Sequence, residues 1–314
     1  NKRSMMKICL AGEGAQGTTH IEALQGISGV EVVTLAGGVE ADAAAFARKW
    51  NIPHFSLDLV ECLERPNVEA VILTTPNQIH ADQTELSLEM GKHVLVELPM
   101  GLTIEESRRV AAAEKKSGLV CMVCHTSRYS GAFREVRRRL RSSELNLHHI
   151  VQETFFFRRT NENRFGKPRT WTDELLWHQA CHTIDMVYWL LEDPNIEVWG
   201  QAGPDHRKLG IPMDITIGMK SKSGVIVSAA MSFNNHGPIQ SRWRFIGEQQ
   251  TLLASWGQLT DHEGSEIKVD EGGVDVQNTE FFNAIREGRQ PLTSCSACLP
   301  VMEIINRIQC SIDS

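Results

Sequence analysis

A glycine-rich loop near the start of the chain limits the possible folds most strongly. Residues 7–11 form a short apolar run, Gly12-Glu-Gly14-Ala-Gln-Gly17 follows directly, and Ile21 and Leu24 continue at helical spacing. Between a strand and a helix, the first glycine permits a tight turn, the second lets the backbone approach a pyrophosphate, and the third lets helix and strand pack closely. The loop therefore predicts a Rossmann domain that binds a dinucleotide at the helix N-terminus.

Alternating strands and helices continue this pattern as far as residue 125. Strands are predicted at 30–36, 70–73, 94–96 and 119–123, and helices at 41–50, 58–64, 79–90 and 103–117. Repeated βα units produce a doubly wound parallel sheet. We therefore predict an α/β protein whose first domain, residues 5–125, binds the dinucleotide.

The pattern changes beyond residue 145. After a predicted helix at 131–141, strands separated by turn residues are predicted at 150–157, 196–201, 213–219, 225–233, 242–246 and 250–254, and helices at 173–191, 277–287 and 297–311. This order is typical of an α+β domain with a large, mostly antiparallel sheet, which we assign to residues 126–314. One uncovered sheet face in such a domain predicts a homodimer or a higher homo-oligomer.

The end of the second predicted strand bears on the choice of cofactor. NAD-dependent enzymes usually have Asp or Glu there, which accepts a hydrogen bond from the ribose 2′-hydroxyl. This chain has Gly37-Gly38 instead. Because no acid at that position repels a 2′-phosphate, the sequence favours NADP over NAD, although no arginine is present there to bind the phosphate.

Composition argues against several classes of protein. The 314 residues include 32 basic and 39 acidic side chains, and the net charge of −7 argues against a duplex-binding surface. No apolar run approaches the roughly 20 residues of a membrane span, and the polar first residues do not resemble a secretory signal. Eight cysteines are then expected to be reduced thiols. We predict a cytoplasmic protein that acts on a small molecule, with no nucleic-acid or membrane partner.

One predicted helix contains an unusual set of polar groups. His178, His182 and Asp185 are spaced i, i+4 and i+7 among apolar residues, so they share one helical face. Imidazole exchanges protons near pH 7, which makes these residues candidates for acid–base catalysis. Buried histidines bonded to backbone carbonyls are an alternative, and a zinc site is another. The zinc metalloprotease pattern requires Glu directly after the first histidine, where this chain has Gln179, so we expect no metal.

The motifs together resemble those of the Gfo/Idh/MocA oxidoreductases over nearly the whole chain. They are the glycine loop followed by His20, Thr74-Thr-Pro-Asn77 with His80, Gly91-Lys-His-Val, Glu97-Leu-Pro99, His182-x-x-Asp185 and Ala284-Ile-Arg-Glu-Gly288. Their order and spacing are those of the family. The resemblance implies an oxidoreductase that uses NADP or NAD.

The resemblance also implies which residues lie at the cofactor. These residues, which include the glycines already described, are Gly12, Gly14, Ala15, Gln16, Gly17, Gly37, Gly38, Thr74, Thr75, Pro76, Asn77, His80, Glu97, Leu98, His125, Trp171 and Thr172. Glu97 is expected near the nicotinamide ribose. Trp171 and Thr172 are expected to approach the cofactor from the second domain.

Two departures from the family concern proton transfer. The family usually has Glu-Lys-Pro, whose lysine contacts the reacting hydroxyl, and this chain has Leu98 in that place. The family also usually has Asp four residues before the motif histidine, where this chain has His178. Both changes shift proton transfer towards imidazoles. We predict that His182 is the general base and that His178 or Asp185 holds its tautomer.

Further segments resemble a narrower branch of the family, whose members oxidise a small carboxylated cyclic hemiacetal with NADP in the degradation of aromatic compounds. They are Phe155-Phe-Phe-Arg-Arg159, Pro168-Arg-Thr-Trp-Thr-Asp173, Leu176-Trp-His178 and Ser232-Phe-Asn-Asn235. A dianionic substrate needs cations, and arginine binds carboxylates through two parallel donors. The candidate substrate-binding residues are Arg128, Arg158, Arg159, Arg169, Asn234 and Asn235. The alternatives are a sugar or polyol dehydrogenase of the same family, a sensor that binds NADP without turnover, and a zinc hydrolase.

Overall fold

The computed structural model describes residues 5–314, which form two compact units. The first contains the chain up to Cys124 together with Asn163–Trp171 and Val274–Leu299. The second contains His125–Glu162, Thr172–Gly273 and Pro300–Ser314. The division differs from the single predicted boundary at residue 125, because two later segments return to the first unit.

The first unit contains a parallel sheet. Its strands are β1 (Met6–Ala11), β2 (Val30–Ala36), β3 (Phe55–Ser56), β4 (Val68–Leu73), β5 (His93–Val96) and β6 (Cys121–Val123). Their order, β3-β2-β1-β4-β5-β6, is that of a dinucleotide-binding fold. β1 and β4 are adjacent and almost completely buried, as expected for central strands of a parallel sheet. Ligands of such sheets bind at the carboxyl ends of these two strands, where the chain order reverses.

Helices connect these strands. They are α1 (Ala15–Leu24), α2 (Glu40–Trp50), α3 (Leu59–Leu63), α4 (His80–Glu89) and α5 (Ile104–Ser117). α5 shows why the sequence predicts them well. The side chain of Thr103 accepts a hydrogen bond from the backbone N–H of Glu106 at its start, and Gly118 ends it at φ +68°.

The second unit contains a mostly antiparallel sheet. Its strands are β7 (Leu147–Phe155), β8 (Glu197–Ala202), β9 (Asp214–Lys220), β10 (Ile226–Ser232), β11 (Gln240–Gly247), β12 (Thr251–Ser255) and β13 (Gln258–Asp261). The order is β13-β12-β11-β7-β10-β9-β8, and within it only β7 and β10 pair in parallel. The predicted fold class is confirmed. β13 was not predicted, because a short polar strand has too few apolar positions to show alternation.

Helices α6 (Gly131–Arg141) and α7 (Ala180–Leu191) belong to the second unit. The predicted helix start at residue 173 is wrong. A π-helical turn, Leu175–Gln179, precedes α7, and the Glu174 side chain caps it by accepting a hydrogen bond from Trp177 N at 3.0 Å. Asp173 is thereby left outside the helix.

Two helices complete the chain. α8 (Val274–Glu287) belongs to the first unit, and the division at Leu299 falls within α9 (Cys295–Ile312). None of the helices in residues 5–314 is both long and apolar enough to cross a membrane.

Candidate active site

Three glycines shape the loop between β1 and α1. Gly12 has φ of +105°, and a Cβ atom there would lie 2.7 Å from the carbonyl oxygen of Thr74. A Cβ atom on Gly17 would lie 2.0 Å from the carbonyl oxygen of Gly12. An added Cβ on Gly14 would meet no atom of residues 5–314 within 4 Å. Close packing therefore requires the first and third glycines, whereas the second faces open space that suits a pyrophosphate.

The first turn of α1 offers backbone donors to an anion. The helix begins at Ala15, and its N-cap residue is Gly14. Among the described residues, no side chain accepts a hydrogen bond as a cap of this helix, and its first turn contains no acidic residue. Gln16 is exposed. Unpaired N–H groups and the positive end of the helix dipole therefore lie beside the open space at Gly14. These features fit the phosphates of a dinucleotide.

The segment after β4 begins beside the glycine loop. Thr74 Oγ1 donates a hydrogen bond to the carbonyl oxygen of Ala11 at 2.7 Å, which ties the ends of β4 and β1 together. Thr75 Oγ1 donates to Gln83. The side-chain nitrogen of Asn77 is buried and has no hydrogen-bond partner in residues 5–314. A buried donor without a partner is unfavourable, so this amide fits a site that is completed by a ligand.

Glu97, directly after β5, is fixed by a hydrogen-bonded chain of side chains. His20 Nε2 lies 2.9 Å from Glu97 Oε1, and Asn278 Nδ2 lies 3.1 Å from His20 Nδ1. Burial alone would raise the pKa of Glu97, but the hydrogen bond and charge of His20 outweigh it and the pKa is lowered. Leu98, the residue in place of the family lysine, is buried. Its side chain cannot exchange a proton.

His80 supports the loop after β4. Its Nδ1 lies 2.8 Å from the carbonyl oxygen of Pro99, and its Nε2 lies 2.8 Å from the carbonyl oxygen of Thr75. The ring therefore links two turns that follow neighbouring strands. We interpret its role at the predicted cofactor site as indirect, through the position of Thr75.

Glu13 places a carboxylate at the end of β2. Its Oε1 accepts hydrogen bonds from the backbone nitrogens of Gly38 and Val39, both at 2.9 Å. The end of β2 has only Gly37-Gly38 in the sequence, and the glycine loop brings an acid to it in the structure. An acid at position 37 itself is excluded, since a Cβ atom on Gly37 would lie 2.4 Å from the Cβ atom of Ala43.

Residues 163–171 contact the predicted cofactor-binding loops of the same unit. Arg164 Nη2 donates a hydrogen bond to the carbonyl oxygen of Ala15 at 2.9 Å. Gln78 Nε2 donates to the carbonyl oxygen of Thr170 at 3.2 Å. Arg164 was not among the predicted site residues, because its partners lie more than a hundred positions away in the sequence.

Arg169 and Trp171 form a pair within this segment. The guanidinium of Arg169 lies 5.0 Å from the centroid of the Trp171 ring. Trp171 was expected to belong to the second domain, and the structure places it in the first unit, while Thr172 begins the next part of the second. Contact of either residue with the cofactor remains a prediction.

In the second unit, His178 is positioned by a carboxylate that the sequence did not reveal. Asp173 Oδ1 lies 2.6 Å from His178 Nδ1 and accepts a hydrogen bond from Gln179 at 2.8 Å, while Arg158 donates to the other oxygen. Burial alone would raise the pKa of Asp173, but His178 and Arg158 lower it to about 2. An ionised Asp173 orients the imidazole and directs proton exchange to Nε2.

His182 lines a cavity of about 670 Å³ within the second unit, a size that suits a small molecule. The centroids of the His178 and His182 rings lie 6.5 Å apart, so the two imidazoles are neighbours as predicted. The polar and aromatic side chains on the wall include Ser127, Gln152, Thr154, Phe156, Gln179, Gln240 and Trp243.

Asp185 forms a buried ion pair with Arg128. Arg128 Nε lies 3.0 Å from both carboxylate oxygens, and His125 Nδ1 lies 3.4 Å from Oδ2. Burial raises the pKa of Asp185 against the opposing charges of Arg128 and His182. We interpret Arg128 as structural in place of the predicted substrate contact, because its guanidinium neutralises a carboxylate that is shielded from water.

The other predicted substrate-binding residues of this unit lie near Phe233, either in the sequence or through a hydrogen bond. Arg159 is exposed, and its Nη1 donates to the carbonyl oxygen of Phe233 at 3.1 Å. Asn234 is exposed and its side chain donates to Asp214 at 2.5 Å, whereas Asn235 is half-buried. A guanidinium has five N–H donors, so Arg159 retains donors that suit a carboxylate.

One group of possible metal ligands among the described residues lies within the first unit. His20, Glu97 and Cys124 offer ligand atoms that lie within 4.8 Å of one another. His178 and His182 belong to no such group within residues 5–314.

Comparison with protein-family models covers both units. Residues 6–125 match the model described as "Oxidoreductase family, NAD-binding Rossmann fold", and residues 132–275 match "Bacterial oxidoreductases, C-terminal". The chain is 37% identical to 4-carboxy-2-hydroxymuconate-6-semialdehyde dehydrogenase of Sphingobium sp. (strain NBRC 103272 / SYK-6), over 98% of this chain and 99% of that protein. The chain belongs to the Gfo/Idh/MocA family of oxidoreductases. It is an NAD(P)-dependent oxidoreductase that acts on a CH–OH donor.

Other members are similar at greater distance. The chain is 33% identical to 1,5-anhydro-D-fructose reductase of Ensifer adhaerens, over 84% of this chain and 83% of that protein. The crystal structure of GenD2 from gentamicin A biosynthesis, in complex with NAD, superposes with a TM-score of 0.85 at 18% identity, over 99% of this chain and 95% of that one. This second likeness concerns the fold alone.

Proposed function

We propose that this oxidoreductase oxidises the cyclic hemiacetal of 4-carboxy-2-hydroxymuconate-6-semialdehyde to 2-pyrone-4,6-dicarboxylate. The observation that carries the proposal is the 37% identity, along almost the full length of both chains, to a dehydrogenase named for this substrate. The replacement of the family lysine by Leu98 and of the family aspartate by His178 supports a substrate unlike the polyols of other members.

The reaction removes two hydrogens from one C–OH group. The anomeric hydroxyl loses a proton to a base, the anomeric carbon loses a hydride, and the C–O bond becomes the carbonyl of a lactone. The nicotinamide, when bound, accepts the hydride. The residues that would hold this cofactor are those of the glycine loop, the first turn of α1, Asn77 and Glu97. The protein must then supply a base and orient the ring of the substrate.

We propose His182 as the base. It sits on the wall of a cavity large enough for the substrate, and an imidazole accepts a proton near neutral pH. His178 is the second candidate, because Asp173 orients it in the way that a carboxylate orients a catalytic histidine. We propose that His182 takes the proton from the substrate hydroxyl, and that His178 positions His182 and relays the proton onward.

Arginines are proposed to bind the substrate carboxylates. Replacing Arg158, Arg159 and Arg169 together by alanine should lower kcat/KM for the dicarboxylate about 10- to 150-fold, since charge-assisted hydrogen bonds contribute roughly 1.5–3 kcal/mol. Initial-rate kinetics measure this effect, and fluorescence titration with NADH should show unchanged cofactor binding. Arg138→Ala, a change of an arginine on the exposed face of α6, is the matched control. An unchanged kcat/KM in the triple variant would contradict the dicarboxylate assignment.

A substrate panel separates the alternatives. Reduction of NAD and NADP is measured with the cyclic hemiacetal, with its monocarboxylate analogues, and with myo-inositol and glucose. We expect kcat/KM to be highest for the dicarboxylate hemiacetal. Preference for a neutral polyol would favour a sugar or polyol dehydrogenase, and cofactor binding without turnover of any donor would favour a sensor.

We also propose that the outer face of the second sheet forms a homodimer or a higher homo-oligomer. Two large apolar side chains of this sheet, Trp199 on β8 and Ile226 on β10, are 50% and 45% exposed. Light scattering after size exclusion should give a multiple of the 35.1 kDa chain mass, and a Trp199→Glu variant should shift it towards the monomer. A monomeric wild type would contradict this proposal. The cytoplasmic location also stays a prediction.

A further inference from the structure

The carboxylate of Glu13 occupies the strand end that decides cofactor choice in Rossmann domains. It accepts hydrogen bonds from Gly38 N and Val39 N, which lead directly into α2. Both oxygens take part, since Oε2 lies 3.0 Å from Gly38 N. Backbone N–H groups at a helix start stabilise an anion. The carboxylate is therefore fixed at this place by the fold.

A carboxylate at the end of the second strand has two consequences for the adenosine ribose. It accepts hydrogen bonds from ribose hydroxyls, and it repels a 2′-phosphate. Here the acid comes from the glycine loop instead of from β2, because Gly37 must stay small beside Ala43. The amides of Gly38 and Val39, which would otherwise suit a phosphate, are already bonded to Glu13.

The charges at the start of α2 add to this repulsion. α2 begins with two further acids, Glu40 and Asp42. Lys167, a cation in the returning segment of the same unit, lies 3.0 Å from Asp42 Oδ2 and is neutralised by it. The local charge at this strand end therefore disfavours a second phosphate.

We propose that Glu13 is the residue that selects the cofactor, and that it selects NAD over NADP. This inference rests on the nicotinamide-dinucleotide assignment and is independent of the proposed substrate. It reverses the preference expected from Gly37-Gly38 alone. Cofactor binding can be measured without substrate, so this proposal can be contradicted while the hemiacetal proposal still holds.

The experiment is a fluorescence titration of the full chain with NADH and with NADPH at constant ionic strength. Wild type should bind NADH at least about 10-fold more tightly, because the Glu13 carboxylate would repel a 2′-phosphate bound at this strand end. Glu13→Gln removes the charge but keeps an amide oxygen as acceptor. It should tighten NADPH binding about 10- to 100-fold and change NADH binding much less.

Three further variants make the result specific. Glu13→Asp keeps the charge and should keep the preference for NADH. Glu22→Gln removes an equal charge from an exposed position on α1 and should leave the ratio of the two dissociation constants unchanged. Lys167→Met tests whether this lysine binds a 2′-phosphate once Asp42 releases it. The proposal is overturned if wild type prefers NADPH, if Glu13→Gln leaves the ratio unchanged, or if Lys167→Met selectively weakens NADPH in the wild-type background.

Discussion

His182→Ala should lower kcat for hemiacetal oxidation about 10²- to 10⁴-fold, the usual contribution of a positioned general base. The expectation rests on the position of His182 at the wall of the cavity and on Leu98, which cannot exchange a proton in place of the family lysine. Steady-state kinetics at saturating cofactor measure the effect. Titration with NADH should show that cofactor binding is retained.

Variants of the neighbouring pair provide the comparison. His178→Ala and Asp173→Asn should each lower kcat less than His182→Ala does, and by similar factors, because Asp173 acts through His178. A nearly normal His182→Ala enzyme beside an inactive His178→Ala enzyme would assign the first proton transfer to His178 and contradict our assignment.

Arg128→Met should lower the free energy of unfolding by about 3–5 kcal/mol, because it leaves a buried carboxylate without its partner. Arg128 and Asp185 are 3% and 0% exposed, so water cannot replace the lost charge. Burial already raises the pKa of Asp185, and loss of Arg128 should raise it further. Denaturant unfolding followed by tryptophan fluorescence measures the loss.

A surface arginine is the matched control for this prediction. Arg138 pairs with Glu135 and Glu144 on the exposed side of α6, and exposed ion pairs contribute little because water and salt screen them. Arg138→Met should therefore leave the unfolding curve almost unchanged. An Arg128→Met protein as stable as wild type would show that the buried pair is not required for the fold.

Local sequence patterns were sufficient to predict most of the fold. The glycine loop between β1 and α1 and the alternating burial of strands such as β11 each depend on residues a few positions apart. The start of the helix that contains His182 was predicted wrongly, because a π-helical turn at Leu175–Gln179 leaves the spacing of apolar residues nearly unchanged. The spacing of apolar residues shows which face of a helix is buried, but it does not show whether the first turn is α-helical or π-helical.

The candidate site could be predicted less completely, because its decisive contacts join residues that are far apart in the sequence. Glu13 was visible only as the variable residue of the glycine motif, and its bonds to Gly38 and Val39 require two strand ends to meet. The pairing of Asp185 with Arg128 spans 57 positions. Asp173 stands five residues before His178, a spacing that suggests no contact on a regular helix.

The central claim is hydride abstraction from the anomeric carbon of a carboxylated hemiacetal. It is tested most directly with 4-carboxy-2-hydroxymuconate-6-semialdehyde that carries deuterium on its aldehyde carbon, which becomes the anomeric carbon on cyclisation. Mass spectrometry of cofactor and product follows the label. We predict deuterium in the reduced nicotinamide and unlabelled 2-pyrone-4,6-dicarboxylate, in equal amounts. Deuterium retained in the organic product, or no reduced cofactor with this substrate, would contradict the account.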